Sequence, residues 1–156
     1  MKNREINRQL QALNDLLKKT DEATKGSLEL QSHWAKYVCI LSSGLIENSL
    51  KEVYSEFVKN ASSQPVANYT CSILKKVQNP KATRFVETAR MFKVEWANEL
   101  ECHMEEEGRA DAINSIMSNR HLIAHGKSSG ITLTRVKEYL GKAIEVIEFI
   151  EEQCST

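Results

Sequence analysis

The chain has 156 residues, of which 41% are hydrophobic and 27% are charged, as in an ordinary globular domain. Its 21 basic and 21 acidic residues cancel, which argues against tight, sequence-independent coating of nucleic acid. Four widely spaced cysteines without a C-x-x-C pair predict reduced thiols and argue against a disulfide framework. No segment resembles a signal peptide or has the length of a membrane span, so we expect a soluble, cytoplasmic protein.

The first third of the chain predicts two helices. Only two prolines and six glycines interrupt the sequence, which favours an all-helical fold. Apolar residues recur every three or four residues over residues 3–20, which predicts an amphipathic helix. Gly26 and Ser27 then supply a break and an N-cap. A long helix is predicted to about Asn60, with the small residues Ser42–Gly44 suited to close helix packing or a kink.

The middle of the chain predicts a loop and three shorter helices. Composition predicts the loop over residues 60–68, followed by a helix to about Val77. Asn79–Pro80 is predicted to begin the next helix, because proline fits the first helical turn. Residues 94–107 predict an acidic, solvent-facing helix that ends at Gly108.

The last part predicts a buried helix from Ala110 that ends at Gly126, a natural C′ residue. Thr134 is the predicted N-cap of a final amphipathic helix over residues 136–150. No strand alternation and no internal repeat is found. The sequence therefore predicts one all-α domain over residues 1–156, a bundle of about five to seven helices.

Charge is distributed unevenly along the chain. Residues 59–86 contain five cations and no acid, whereas residues 95–111 contain seven acids against Arg109 alone. The cations are Lys59, Lys75, Lys76, Lys81 and Arg84. Two interpretations stay open: a local basic face for RNA, or two solvated helix faces of opposite sign that attract each other.

The segment Ser118–Gly126, "SNRHLIAHG", concentrates the chemistry of the chain. His121 and His125 are four residues apart on one helix face and could share a metal ion, but zinc needs further ligands. Cys102 and His103 are the nearest candidates, and no glutamate separates the histidines as in H-E-x-x-H. A metal site is therefore the weakest of the alternatives.

Arg120 and His125 form an R-x4-H pair. On an ideal helix they are separated by about 140° in azimuth and about 7.5 Å along the axis, so one copy does not close a compact site. A partner chain related by a twofold axis would bring a second pair to face the first. The alternative is structural: Arg120 pairs with an acid on a neighbouring helix and His125 caps the helix end.

This pair suits cleavage of RNA. Histidine can transfer protons near neutral pH, and arginine recognises phosphate oxygens and stabilises charge on phosphorus. RNA supplies its own nucleophile, the 2′-OH. These groups would suffice for cleavage without a metal or another cofactor, leaving a 2′,3′-cyclic phosphate and a 5′-OH.

The string "MSNRHLIAHGKS", preceded by "LSSGLIENSLKEVY" and "QNPKATRF", resembles the HEPN superfamily and within it the RiboL-PSP-HEPN family. The resemblance covers residues 34–152 and leaves the N-terminal helix and connection, residues 1–26, outside. It implies an all-α bundle that dimerises through the motif-bearing helices. Members include metal-independent endoribonucleases, often toxins of toxin–antitoxin pairs or antiviral defence effectors. Others are non-catalytic RNA-binding, nucleotide-binding or protein-interaction modules.

The resemblance carries over residue by residue. Arg120 and His125 match the signature and are the predicted catalytic residues, while His121 fills its polar second position and Asn119 precedes the arginine. Glu47 matches an acidic position on a facing helix that orients the arginine or the histidine. The predicted function is an endoribonuclease that acts on RNA as a homodimer, with an antitoxin or defence-system protein as a further partner.

Three other residues have two interpretations each. Lys127 contacts a phosphate or is a surface residue of a turn. Trp34 and Trp96 stack on RNA bases or belong to the core or an interface, and the second interpretation is favoured for isolated aromatic residues.

Overall fold

The computed structural model describes all residues, 1–156, and contains seven α-helices, one 3₁₀ turn and no strand. The helices are α1 (Arg4–Ala23), α2 (Leu28–Ala61), α3 (Gln64–Leu74), α4 (Ala82–Phe92), α5 (Val94–Glu105), α6 (Arg109–Ala124) and α7 (Leu133–Ser155), with the 3₁₀ turn at Glu106–Gly108. The predicted all-α class is confirmed. No helix is both long enough and apolar enough to cross a membrane.

Contacts between chain ends fix the directions of the long helices. The backbone N–H of Asn3 donates to Glu151 at 2.9 Å, and Asp21 pairs with Lys137, so α1 and α7 are antiparallel. The short connections α1–α2 and α6–α7 join antiparallel neighbours. Helices α2 and α7 therefore run in one direction and α6 in the other. The end of α6 consequently lies at the same end of the bundle as the beginnings of α2 and α7.

The core lies between α2, α6 and α7. It is formed largely by buried aliphatic residues that recur at helical spacing, facing the neighbouring helices: Val38, Ile46, Leu50, Ile113, Ile116, Val136, Ile147 and Ile150. The Cys39 thiol donates to the carbonyl of Ile116 at 3.6 Å, which sets these two residues level along the bundle. Burial raises the pKa of the Cys39 thiol to about 11, as expected for an inert core cysteine.

The predicted loop over residues 60–68 is wrong. Helix α2 ends at Ala61, and α3 begins at Gln64 with Pro65 in its first turn. Only Ser62 and Ser63 connect the two helices. Serine, asparagine and proline are typical both of loops and of helix beginnings, and here they begin a helix.

Two other predicted helix boundaries are shifted. Pro80 precedes α4 instead of beginning it, because the helix starts at Ala82. The N-cap of α7 is Thr132, not Thr134: its side chain accepts a hydrogen bond from the backbone N–H of Arg135 at 3.2 Å. The predicted break at Gly26 and the N-cap at Ser27 are confirmed.

Two predicted helix faces also need correction. Helix α5 is acidic outside, but it buries Ala97, Leu100 and Met104 instead of lying wholly in solvent. In α2, Ser42 and Ser43 are buried as expected for close packing, while Gly44 faces outward with no atom within 4 Å of an added Cβ.

Candidate functional site

The end of α6 is built to stop the helix at His125. Gly126 has φ +65°, its N–H donates to Ile123 at 3.1 Å, and the N–H of Lys127 donates to Leu122 at 2.8 Å. These two bonds form a Schellman motif, in which the glycine adopts the left-handed conformation that a side chain disfavours. The predicted role of Gly126 is confirmed, and His125 is left exposed at the C-cap.

Arg120 continues the inward face of α6. It follows Ile116 by four residues and Met117 by three, so its side chain leaves the core at the last turn and is half-buried. None of the ion pairs of the chain involves Arg120, and its guanidinium donates no hydrogen bond. The interpretation that Arg120 pairs with an acid on a neighbouring helix is therefore wrong, whereas His125 does occupy the C-cap.

The two histidines of the segment lie side by side. The ring centroids of His121 and His125 are 4.4 Å apart, and both residues are exposed. No group of three or more potential ligands is arranged to hold a metal ion. Of the candidates named from the sequence, Cys102 is exposed on α5, and His103 stacks on Phe149 at 4.2 Å.

Asn119 fixes the loop that follows the motif. Its side-chain N–H donates to the carbonyl of Ser115 at 2.8 Å, and its oxygen accepts from the Ser129 hydroxyl at 2.7 Å. The Ser129 oxygen accepts in turn from the N–H of Ile131 at 3.4 Å. Ser129 is buried, and the sequence, which indicates only a turn at this position, does not reveal it as an anchor.

Glu47 does not contact Arg120 or His125 within one chain. Its carboxylate accepts from Lys51 Nζ at 2.7 Å and from the backbone N–H of Asn79 at 2.6 Å. Because α2 and α6 are antiparallel and Cys39 is level with Ile116, Glu47 lies about 18 Å from Arg120 along the bundle. The expectation that it orients the motif is corrected: Glu47 holds the loop before α4.

The three other residues considered as RNA contacts, Lys127, Trp34 and Trp96, lie partly on the surface and partly at the core. Lys127 is exposed and has no ion-pair partner. Trp34 is exposed and packs edge-on against Tyr37 at 5.5 Å, whereas Trp96 is half-buried against Phe57 at 5.3 Å. Trp96 thus belongs to the edge of the core, and Trp34 lies on a free helix face.

The basic and acidic segments form no ion pair with each other. Within the second segment Glu106 and Glu107 pair with Arg109, and Arg84 of the first segment pairs with Glu87. Both interpretations drawn from the sequence stay predictions.

One of the three comparisons with known proteins finds a match, to a family model. Residues 4–156 match the model of the RiboL-PSP-HEPN family, so the match includes the N-terminal helix that the sequence resemblance left outside. The search of curated proteins and that of solved structures find no match. Family membership indicates a nuclease-like or RNA-related role. With essentially the whole chain matched and the motif at the end of α6, the protein belongs to the RiboL-PSP-HEPN family.

Proposed function

We propose that the protein is a metal-independent endoribonuclease in which Arg120 and His125 act on one phosphodiester of RNA. The observation that carries the proposal is a half-buried arginine without a protein partner, in the same helix end as an exposed histidine. Buried or half-buried arginines are normally paired, so this guanidinium suits an anion that the chain itself does not supply. The RNA-related role of the family makes a phosphate of RNA the candidate anion.

The proposed reaction makes one bond to phosphorus and breaks another. A base takes the proton of the ribose 2′-OH, and the oxygen attacks the adjacent phosphorus. The bond from phosphorus to the 5′-oxygen breaks, and an acid protonates that oxygen as it leaves. The products carry a 2′,3′-cyclic phosphate and a 5′-OH, and no water is consumed.

In this scheme His125 transfers protons and Arg120 stabilises the charge that develops on the phosphoryl oxygens. The ring of His121 lies 4.4 Å from that of His125 and supports its orientation. Lys127, exposed just beyond Gly126, contacts a flanking phosphate.

One further residue acts as a positioning residue. Asn119 holds the loop that carries Lys127, through its bond with Ser129.

The active unit in this proposal is a twofold dimer, because Arg120 and His125 point about 140° apart on α6 and need a second pair opposite them. A surface of α2 suits this contact. Leu30, Trp34, Tyr37 and Ile40, here called the α2 apolar stripe, are exposed by 47%, 36%, 51% and 37%. They recur at helical spacing on one face.

A second copy is the occupant that this surface fits best. The outward-facing Gly44, with open space around it, continues the α2 apolar stripe along the helix. Arg120 is four residues beyond Ile116, which places it level with about residue 35 of α2 along the bundle axis. A symmetric contact through the α2 apolar stripe would therefore lie at the same level of the bundle as the motif-bearing end of α6.

The biological setting of the proposal follows from the family alone. We propose a toxin or defence-system effector whose partner is an antitoxin or another defence protein.

The test is cleavage of single-stranded RNA by the purified protein in EDTA. We expect wild type to produce 2′,3′-cyclic phosphate ends, and Arg120→Ala and His125→Ala to lower the rate by about 100-fold or more. Arg8→Ala is the matched control, because Arg8 is exposed, pairs with Glu5 and lies at the other end of the bundle. Equal cleavage by wild type and both variants, or binding without cleavage, would contradict the proposal; the second result would favour a non-catalytic module.

A further inference from the structure

A polar cleft lies between α1, α2 and α3, on the far half of α2 from the motif. Its volume is about 570 Å³, and only two of its twelve lining residues are hydrophobic. Lys51 and Lys59 lie on its α2 wall and Lys75 at the end of α3. These three residues define what is here called the lysine cleft.

Two of the three cations of the lysine cleft make no ion pair. Lys59 and Lys75 are exposed and make no ion pair, although Lys51 pairs with Glu47. Of the two acids that line the cleft, Glu5 is bound by Arg8 and Gln9 and only Glu52 is free of an ion pair. No acid occurs from residue 59 to residue 86, so the α3 wall contributes no carboxylate.

The loop that extends this surface is fixed in place. The N–H of Asn79 donates to Glu47 at 2.6 Å, and the N–H of Ala82 donates to Asn114 at 2.9 Å. Lys76 and Lys81 are therefore exposed on a loop that is anchored near both of its ends. Cations held on a fixed backbone need less ordering when they bind a polyanion.

We infer that the lysine cleft binds the sugar-phosphate backbone of single-stranded RNA at a site separate from the cutting site. Lys51 and Lys59 are about 12 Å apart along α2, which spaces their charges along a strand. Five other lining residues offer amide or hydroxyl groups: Gln9, Asn48, Ser55, Asn68 and Ser72. A protein partner would need an apolar centre at its interface, which this lining lacks.

The cleft is too far from the motif to take part in the chemistry. Arg120 is level with about residue 35 of α2, so Lys51 and Lys59 lie about 24 to 36 Å away along the bundle. The cleft thus contributes to affinity for longer RNA and not to bond breaking. The inference rests on the proposed function in one respect, the choice of RNA as the polyanion.

The experiment measures binding of a fluorescently labelled single-stranded RNA by anisotropy over a series of KCl concentrations, with His125→Ala protein. Adding Lys59→Gln and Lys75→Gln should weaken binding uniformly across RNA sequences. It should also reduce the salt slope, log Kd against log salt, by about 1.4, because each single-strand phosphate contact contributes about 0.7. Lys19→Gln with Lys93→Gln, both exposed and outside the cleft, is the matched control.

An unchanged slope in the cleft double variant, or the same loss in the control pair, would overturn the inference. Displacement of the RNA by poly-glutamate as effectively as by unlabelled RNA would also overturn it, since the cleft would then suit an acidic protein segment. If wild type cuts no RNA but the slope falls as expected, the inference is supported and the proposed function fails.

Discussion

The two ends of α6 carry one arginine each, in opposite surroundings. Arg109, at the first residue, lies within ion-pair distance of Glu106, Glu107 and Glu145, the last at 2.7 Å from its Nε. Arg120, in the last turn, is half-buried and has no carboxylate partner. Helix α6 thus begins at an arginine whose charge is balanced by three carboxylates, here called its closed end. It ends at an arginine without a carboxylate partner, here called its open end.

This difference separates a stabilising arginine from one available to a ligand. The side chain of Arg109 is only 11% exposed, and its guanidinium also donates to the carbonyl of His103 at 3.2 Å, so it joins the turn after α5 to α7. The guanidinium of Arg120 keeps all of its donors free. We therefore expect substitutions at the first position to change stability and those at the second to change activity.

Charge reversal at Arg120 is the sharpest way to test this comparison. Arg120→Glu should lower the rate of RNA cleavage by about 1000-fold, because a carboxylate would repel the RNA phosphate that the proposed mechanism places beside Arg120. Stability should change by no more than about 0.5 kcal/mol, since no ion pair is lost. Initial rates in EDTA and urea unfolding measure the two effects. A large loss of stability would contradict the open-end account.

Charges in the α2 apolar stripe test whether the open end needs a second copy. Trp34→Glu with Tyr37→Glu should weaken the dimer by about 30-fold or more, as expected when buried aromatic contacts are lost, and activity should fall with it. Analytical ultracentrifugation and cleavage rates are the measurements. Tyr69→Glu on α3 is the matched control, since Tyr69 is 69% exposed outside the stripe. An active monomer would contradict the dimer.

Arg109→Ala tests the closed end. Loss of its contacts with three carboxylates should lower the free energy of unfolding by about 1 to 2 kcal/mol, a moderate value because the acids themselves are largely exposed. RNA cleavage should not change at temperatures where the variant is folded. Urea unfolding gives the first quantity, and unchanged stability would show that this cluster is only a surface feature.

Protonation of His103, next to the closed end, gives the smallest expected effect, a dependence of folding stability on pH. Burial, followed by the charge of Arg109, lowers the pKa of His103 below its ordinary value of 6.5. The folded state therefore takes up the proton less readily than the unfolded chain. Stability should be full above pH 6.5 and should fall as the pH is lowered through 6.5 toward the folded pKa.

His103→Phe should remove this component while keeping the stacking on Phe149. The melting temperature of the variant should therefore fall less on acidification than that of wild type. Identical pH profiles for the two proteins would contradict the assignment of this component to His103.

Much of the fold could be predicted because it depends on local patterns. Apolar spacing of three and four predicts α1, α2, α6 and α7, and Gly126 marks the end of α6 through its own conformational freedom. The predicted loop over residues 60–68 failed because its residues suit a helix beginning equally well. Thr134 failed as the N-cap because Thr132 offers the same hydroxyl two residues earlier.

The candidate site could be predicted only in part. The sequence places Arg120 and His125 in one helix end, but whether an acid reaches Arg120 depends on the packing of other helices. Glu47 illustrates the limit: its partners, Lys51 and the N–H of Asn79, are fixed by how the loop before α4 returns to α2. The side-by-side contact of His121 and His125, in contrast, follows from their spacing of four residues.

The central claim is that the 2′-OH of RNA is the nucleophile and that His125 transfers protons during the cleavage. The most direct measurement compares one RNA strand with its matched all-2′-deoxy strand, in EDTA, with wild type and His125→Ala. The account predicts that wild type cuts the RNA to 2′,3′-cyclic phosphate ends, that it leaves the deoxy strand intact, and that the variant cuts neither. Cleavage of the deoxy strand by wild type would contradict it.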